Sequence, residues 1–67
     1  MGMGTKYRFE TCECLGPQRR FTFVIPAGTW VVDEDDVSVK IILGYRAKEL
    51  DKSAFNELKA EKKAIPA

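Results

Sequence analysis

The chain contains no histidine, and that one absence removes most of the common nucleophilic chemistry. Ser-His-Asp and Cys-His arrangements both need an imidazole to accept the proton. Tetrahedral zinc takes four ligands, usually cysteine or histidine, and the chain offers two cysteines, Cys12 and Cys14. No glycine-rich phosphate loop is present. No apolar run approaches the roughly 20 residues of a membrane span. The first residues do not pair a basic region with an apolar one, so no secretion signal is expected and a cytoplasmic location is the default. These absences predict a protein that is not an enzyme and carries no cofactor or metal.

What is present is a balanced composition. Of 67 residues, 45% are hydrophobic and 31% charged, proportions of a folded domain. A chain of this length sits near the size at which one core barely outweighs the conformational entropy lost on folding. Such chains draw extra stability from disulfides, a metal or burial against a second chain. The first two are poorly supplied, which makes a homodimer an arrangement to test. Eleven basic and ten acidic side chains leave a formal charge of +1, too even for a protein that coats nucleic acid by bulk electrostatics.

Between Arg20 and Leu43 the apolar residues alternate, and across 44–51 their spacing changes to that of a helix. Alternation marks half-buried strands, and three- and four-residue spacing marks a helix face. Residues 5–12 read as one strand, with Tyr7, Phe9 and Thr11 on one face. Gly16, Pro17 and Gln18 make a turn, and 20–25 returns with Phe21, Phe23 and Ile25 on one face. After Pro26, 29–32 is a short strand carrying Trp30 and Val32 together. The acidic run Asp33, Glu34, Asp35 and Asp36 then forms a turn before 37–43, where Val37, Val39, Ile41 and Leu43 share a face. Ile42 interrupts the polar phase, which suggests a covered second face. Asp51 is placed to cap a helix, Leu50 and Phe55 to staple it, and Ala54, Phe55 and Leu58 to form its apolar stripe.

The expected product is a single α+β domain over 5–65 after a flexible 1–4. It is a small bent antiparallel sheet of three to four strands with one C-terminal helix. Short connections favour a meander, of which an SH3-like roll is one form.

Cys12 and Cys14, two apart on a strand, lie about 6.5 Å from each other at 3.3 Å of rise per residue. That exceeds the ~4 Å between Cβ atoms that a disulfide prefers. Reduced cysteines that pack as small hydrophobes are the expectation, against a four-thiolate site shared by two chains. The acidic run lacks the spacing and glycine of a calcium loop, and reads as a solvated turn or a patch for a basic partner.

Two classes of function follow. The first is a small regulatory or inhibitory module, comparable with phage or mobile-element regulators, that occupies the surface of a larger protein partner. Its contacts would be Trp30, Tyr45 and Arg46 with Asp33, Glu34, Asp35 and Asp36; Arg20 is a further charged anchor. Trp30 is also wanted by a core with few large residues. The alternative is nucleic-acid binding by Arg8, Arg19, Arg20, Lys40, Arg46 and Lys48 on one sheet face and its rim, with Tyr7, Trp30 or Tyr45 stacking on bases. Self-association through an open strand edge or the Ile42 face would be compatible with either.

Val24-Ile25-Pro26, followed by Asp35-Asp36-Val37 and Ile41-Ile42-Leu43, loosely resembles the swapped-hairpin DNA-binding domains of the AbrB and MazE kind over about a third of the chain. In that family a helical turn follows the Val-Ile-Pro step. Here residues 27–32 read as turn and strand, so the resemblance is not adopted.

Overall fold

The computed structural model describes residues 4–17 and 20–67. The expected flexibility of residues 1–3 and the placement of Gln18 and Arg19 lie outside those residues. Among the described residues eight elements follow one another: β1 (Thr5–Phe9), β2 (Cys12–Leu15), β3 (Thr22–Ile25), β4 (Gly28–Glu34), β5 (Ser38–Leu43), β6 (Arg46–Asp51), α1 (Lys52–Ala60) and β7 (Ala64–Pro66). Five strands form one antiparallel sheet in the order β6-β5-β4-β1-β7, and β2 and β3 form a separate hairpin.

The α+β class is as expected, but the sheet is larger. Residues 5–12 are two strands of two sheets, parted at Glu10 and Thr11. Phe9 and Cys12, three positions apart, are both buried, so the bend resets the alternation and turns the cysteine phase inward. β4 runs on through Asp33 and Glu34, which pair with Lys40 and Val39, so only Asp35 and Asp36 of the acidic run belong to the turn. Residues 46–51 are a strand, with helical geometry beginning at Lys52. Nor is the helix the last element, because β7 pairs with β1 beyond it. Pro66 sits there on the sheet edge, where a missing N–H costs no ladder bond. Residues 28–34 form a strand where the swapped-hairpin family has its helical turn.

One face of the large sheet is the floor of the core. Tyr7, Phe9, Val32, Val39, Ile41 and Leu50 point down onto Phe55 and Leu58 of the helix and onto Cys12, Cys14, Phe23 and Ile25 of the hairpin. Asp51 stands at the helix N-cap in extended conformation, without a side-chain capping bond. Leu50 and Phe55, one on each side of it, are fully buried. The helix ends in a Schellman arrangement: Lys63 N–H donates to Leu58 O at 2.9 Å and Lys62 N–H to Lys59 O at 3.1 Å. Lys62 takes the left-handed conformation, φ 62°. At the β5–β6 turn Gly44, φ 67°, occupies the first central position between the paired Leu43 and Arg46, where a tight primed turn requires positive φ.

Candidate functional site

The acidic residues gather at the end of the sheet where β4 turns into β5. Their backbone is held firmly there. Asp35 N–H donates to Ser38 O at 2.9 Å, closing the turn, and Lys52 N–H, at the start of the helix, donates to Val37 O at 3.1 Å. The Lys52 ammonium then reaches Glu34 Oε2 at 2.5 Å and the Asp35 carbonyl at 3.3 Å. One lysine therefore ties the turn to the helix by main chain and side chain together.

Asp33, Glu34, Asp35, Ser38, Lys40 and Glu49 line one shallow cleft at this end. Register explains the grouping. Lys40 lies opposite Asp33 on one neighbour and Glu49 on the other, so a basic side chain stands between two acids on one face. Ser38 Oγ donates to Glu49 Oε2 at 3.0 Å. Asp36 is exposed in the turn, and Val37 beside it is 78% exposed, an apolar tip on an acidic rim.

Charge at this end is fixed by its neighbours. The hydrogen bond from Lys52 holds the Glu34 carboxyl below its ordinary pKa, against the opposing effect of burial. Tyr7 moves the other way: burial raises its phenol, and the nearby Glu34 carboxylate adds to the shift. Tyr7 is thus a neutral core residue, set edge-on to Phe55 at 5.2 Å between ring centroids.

The remaining expected contacts are elsewhere. Tyr45 is 96% exposed but sits with Arg46 at the other end of β5, about 20 Å away along a six-residue strand. Trp30 packs on the core, and its indole N–H donates to Pro26 O at 2.9 Å. The expected contact set is therefore divided between two ends of the sheet, with Trp30 built into the fold.

The basic residues do not form one face either. Arg8 and Lys40 are on the outer face of the sheet, in different cross-strand rows. Arg46 and Lys48 fall on the opposite phase, level with Leu43 and Ile41, and Lys48 Nζ lies 5.7 Å from the Phe23 ring centroid. Arg20 is exposed just before β3, and Arg19 lies outside the described residues.

Cys12 and Cys14 are free and buried. Burial raises both thiols, Cys14 to about 12 with the Cys12 sulfur beside it contributing, so both are held in the protonated form, which is the poorer nucleophile. Among the described residues no group of three or more cysteine or carboxylate side chains could hold a metal ion, and no helix is long and apolar enough to cross a membrane.

Sequence reasoning missed Val37, Ser38, Glu49 and Lys52 as parts of this end. Glu49 could be placed beside Lys40 only by recognising β6 as a strand. No protein-family model matches the chain, and neither the curated proteins nor the solved structures include a match to it.

Proposed function

We propose that this chain is a cytoplasmic, non-enzymatic binding module that acts by occupying a basic surface of a larger protein partner, with the acidic end of its sheet as the contact. The observation that carries this reading is the convergence of Asp33, Glu34, Asp35 and Glu49 on one cleft. Asp36 and the exposed Val37 extend it at the tip. Carboxylates on a pinned turn lose little conformational freedom when a partner docks. An apolar side chain among them gives such a contact a centre that excludes water. Complementary charge of this kind chiefly accelerates association and selects the partner. The dispersed arginines and lysines offer no comparable surface to a polyanion, which is why protein is preferred to nucleic acid.

The test uses the tagged, nuclease-treated protein as bait in lysate from cells that carry its gene, beside the variant Asp35→Asn/Asp36→Asn/Val37→Ser. The expected result is a stoichiometric protein partner retained by the parent chain, released by salt and weakened at least tenfold by the variant. Salt-sensitive binding to purified DNA or RNA with no protein partner would transfer the function to the basic residues. Equal retention by both chains would move the contact away from the acidic end.

A further inference from the structure

The helix and the hairpin both cover the same face of the five-stranded sheet, and the opposite face has no element over it among the described residues. Cross-strand register lays out that face in rows. One row runs Ala47, Ile42, Val31, Lys6 across β6, β5, β4 and β1. The next, nearer the acidic end, runs Glu49, Lys40, Asp33 across β6, β5 and β4. Ile42 is 36% exposed and Val31 is half-buried. Gly4 lies against Val31, where an added Cβ would clash with its Cγ1, and it has no side chain with which to cover the row.

We infer that this face is the interface of a two-fold homodimer. The reason is that the pattern is its own complement. Two such sheets stacked face to face pack about 10 Å apart with strands within about 30° of each other. Let the two-fold axis run along the strands, between β4 and β5. Ile42 of one copy then falls on Val31 of the other, and Val31 on Ile42. In the charged row Lys40 falls on Asp33 of the second copy and Asp33 on its Lys40. Ala47 meets the stem of Lys6, whose ammonium can reach Glu49 of the second copy, one row further on. Within these two rows every apolar position thus meets an apolar one or a lysine stem, and the four charged residues find opposite partners, as an isologous contact requires. Arg8 and the exposed Ile65, paired on the same face nearer its other end, lie outside the two rows.

The free edge of β6 offers no equivalent. Two-fold antiparallel pairing of that strand with itself keeps each residue on its own face. Centring it on Lys48 or Glu49 opposes like charges directly, and centring it on Ala47 sets Arg46 against Lys48. Charged edges of this kind prevent sheet extension.

The face measures roughly 20 Å by 20 Å, from strand spacing and rise. Stacking it buries about 800 Å² in total, below the size of standard specific interfaces, so the dimer is weak, transient and concentration-dependent. The axis direction puts both acidic turns at one end of the dimer. Dimerisation through this face does not depend on the function proposed above, and because it covers Asp33 and Glu49 it leaves Asp35, Asp36 and Val37 of the turn as the surface open to a partner.

Sedimentation velocity from about 1 to 500 μM is the test, with Lys40→Glu, Asp33→Lys and Ile42→Thr each checked for folding by circular dichroism. The parent chain should pass from monomer to dimer across this range, and each variant should shift the transition at least tenfold upward. An equimolar mixture of Lys40→Glu and Asp33→Lys should recover the dimer. In the mixed pair one contact keeps its native Asp33 and Lys40, and the other joins the two introduced side chains, again of opposite charge, although each chain keeps its internal like-charge repulsion. A parent chain that stays monomeric at 500 μM overturns the inference. So does a dimer unmoved by Ile42→Thr, which tests the face without altering charge should either charge variant fail to fold.

Discussion

Lys52, the first residue of the helix, holds the carboxylate of Glu34, the last residue of β4, at 2.5 Å. The pair joins elements that the backbone reaches only through two hairpins, and it fixes the end of the sheet on which the acidic turn rides. Its side chains are 32% and 27% exposed, so water screens it and its worth is about 0.5–1 kcal/mol. Glu34 titrates below its ordinary 4.5 in the folded chain. The contribution is therefore present above that value and lost as pH falls through the lower folded one. Urea unfolding of Lys52→Met should show a deficit of that size near neutrality that shrinks below pH 4.5. In hydrogen exchange the Asp35 amide, bonded to Ser38 O, should open faster.

The two cysteines should behave as core residues. An aromatic disulfide reagent is expected to modify them in the folded protein only as fast as the domain opens, and at once in denaturant. Because burial lifts Cys14 to about 12, the folded state keeps a proton that the unfolded chain gives up above about pH 8.5. Stability is then complete below that pH and falls by about 1.4 kcal/mol per unit as pH rises towards 12. Cys14→Ala should make this alkaline slope shallower, with Cys12 and Tyr7, which burial also raises, supplying the remainder. Rapid native-state labelling would show that the thiols are accessible after all.

Which parts of this fold were legible depended on how much apolar surface each element buries. Val39 and Ile41 in β5, Phe23 and Ile25 in β3, and Phe55 and Leu58 in the helix are buried at the spacing that the sequence shows. β6 buries only Leu50 fully, and its Ala47, Lys48, Glu49 and Leu50 are all good helix formers. Local propensity there points one way and the ladder to β5 decides the other. β7 is three residues ending in proline, too short to show any period. The Glu10–Thr11 bend was hidden because Thr11, an ordinary strand residue, continues the Tyr7-Phe9 alternation although it is exposed in the structure.

The candidate site followed the same logic. The acidic run was visible as composition, but its division between strand and turn, and its junction with Lys52 and Glu49, are products of register. The distance of Tyr45 and Arg46 from it was legible, because the strand expected over 37–43 already puts about 20 Å between them.

Lys62 offers a gain in stability. It occupies the C′ position of the Schellman arrangement at φ 62°, where a side chain is strained and glycine is usual. The residue is exposed, so Lys62→Gly sacrifices no packing. Relief of about 1–2 kcal/mol is partly offset by the larger entropy of glycine in the unfolded chain, about 0.5–1 kcal/mol. The net expectation is a stabilisation of about 0.5–1 kcal/mol by thermal or urea unfolding. A loss would mean that the lysine side chain contributes an interaction greater than the strain.

Phe55 should be the most sensitive position in the core. It is fully buried, meets the edge of Tyr7 at 5.2 Å and carries Lys59 Nζ over its ring at 4.9 Å. Truncating such a ring costs about 3–5 kcal/mol. A domain of 67 residues has only about 3–10 kcal/mol in total. Phe55→Ala should therefore be largely unfolded at 37 °C, whereas Phe55→Leu should remain folded with a lower melting temperature. The leucine variant also separates core loss from surface loss, because the outer face of the sheet is untouched. Any species that binds only the folded state raises apparent stability by mass action. If two copies stack through Ile42 and Val31, the melting temperature of Phe55→Leu should rise with protein concentration across the micromolar range, and that rise should disappear when Ile42→Thr is added.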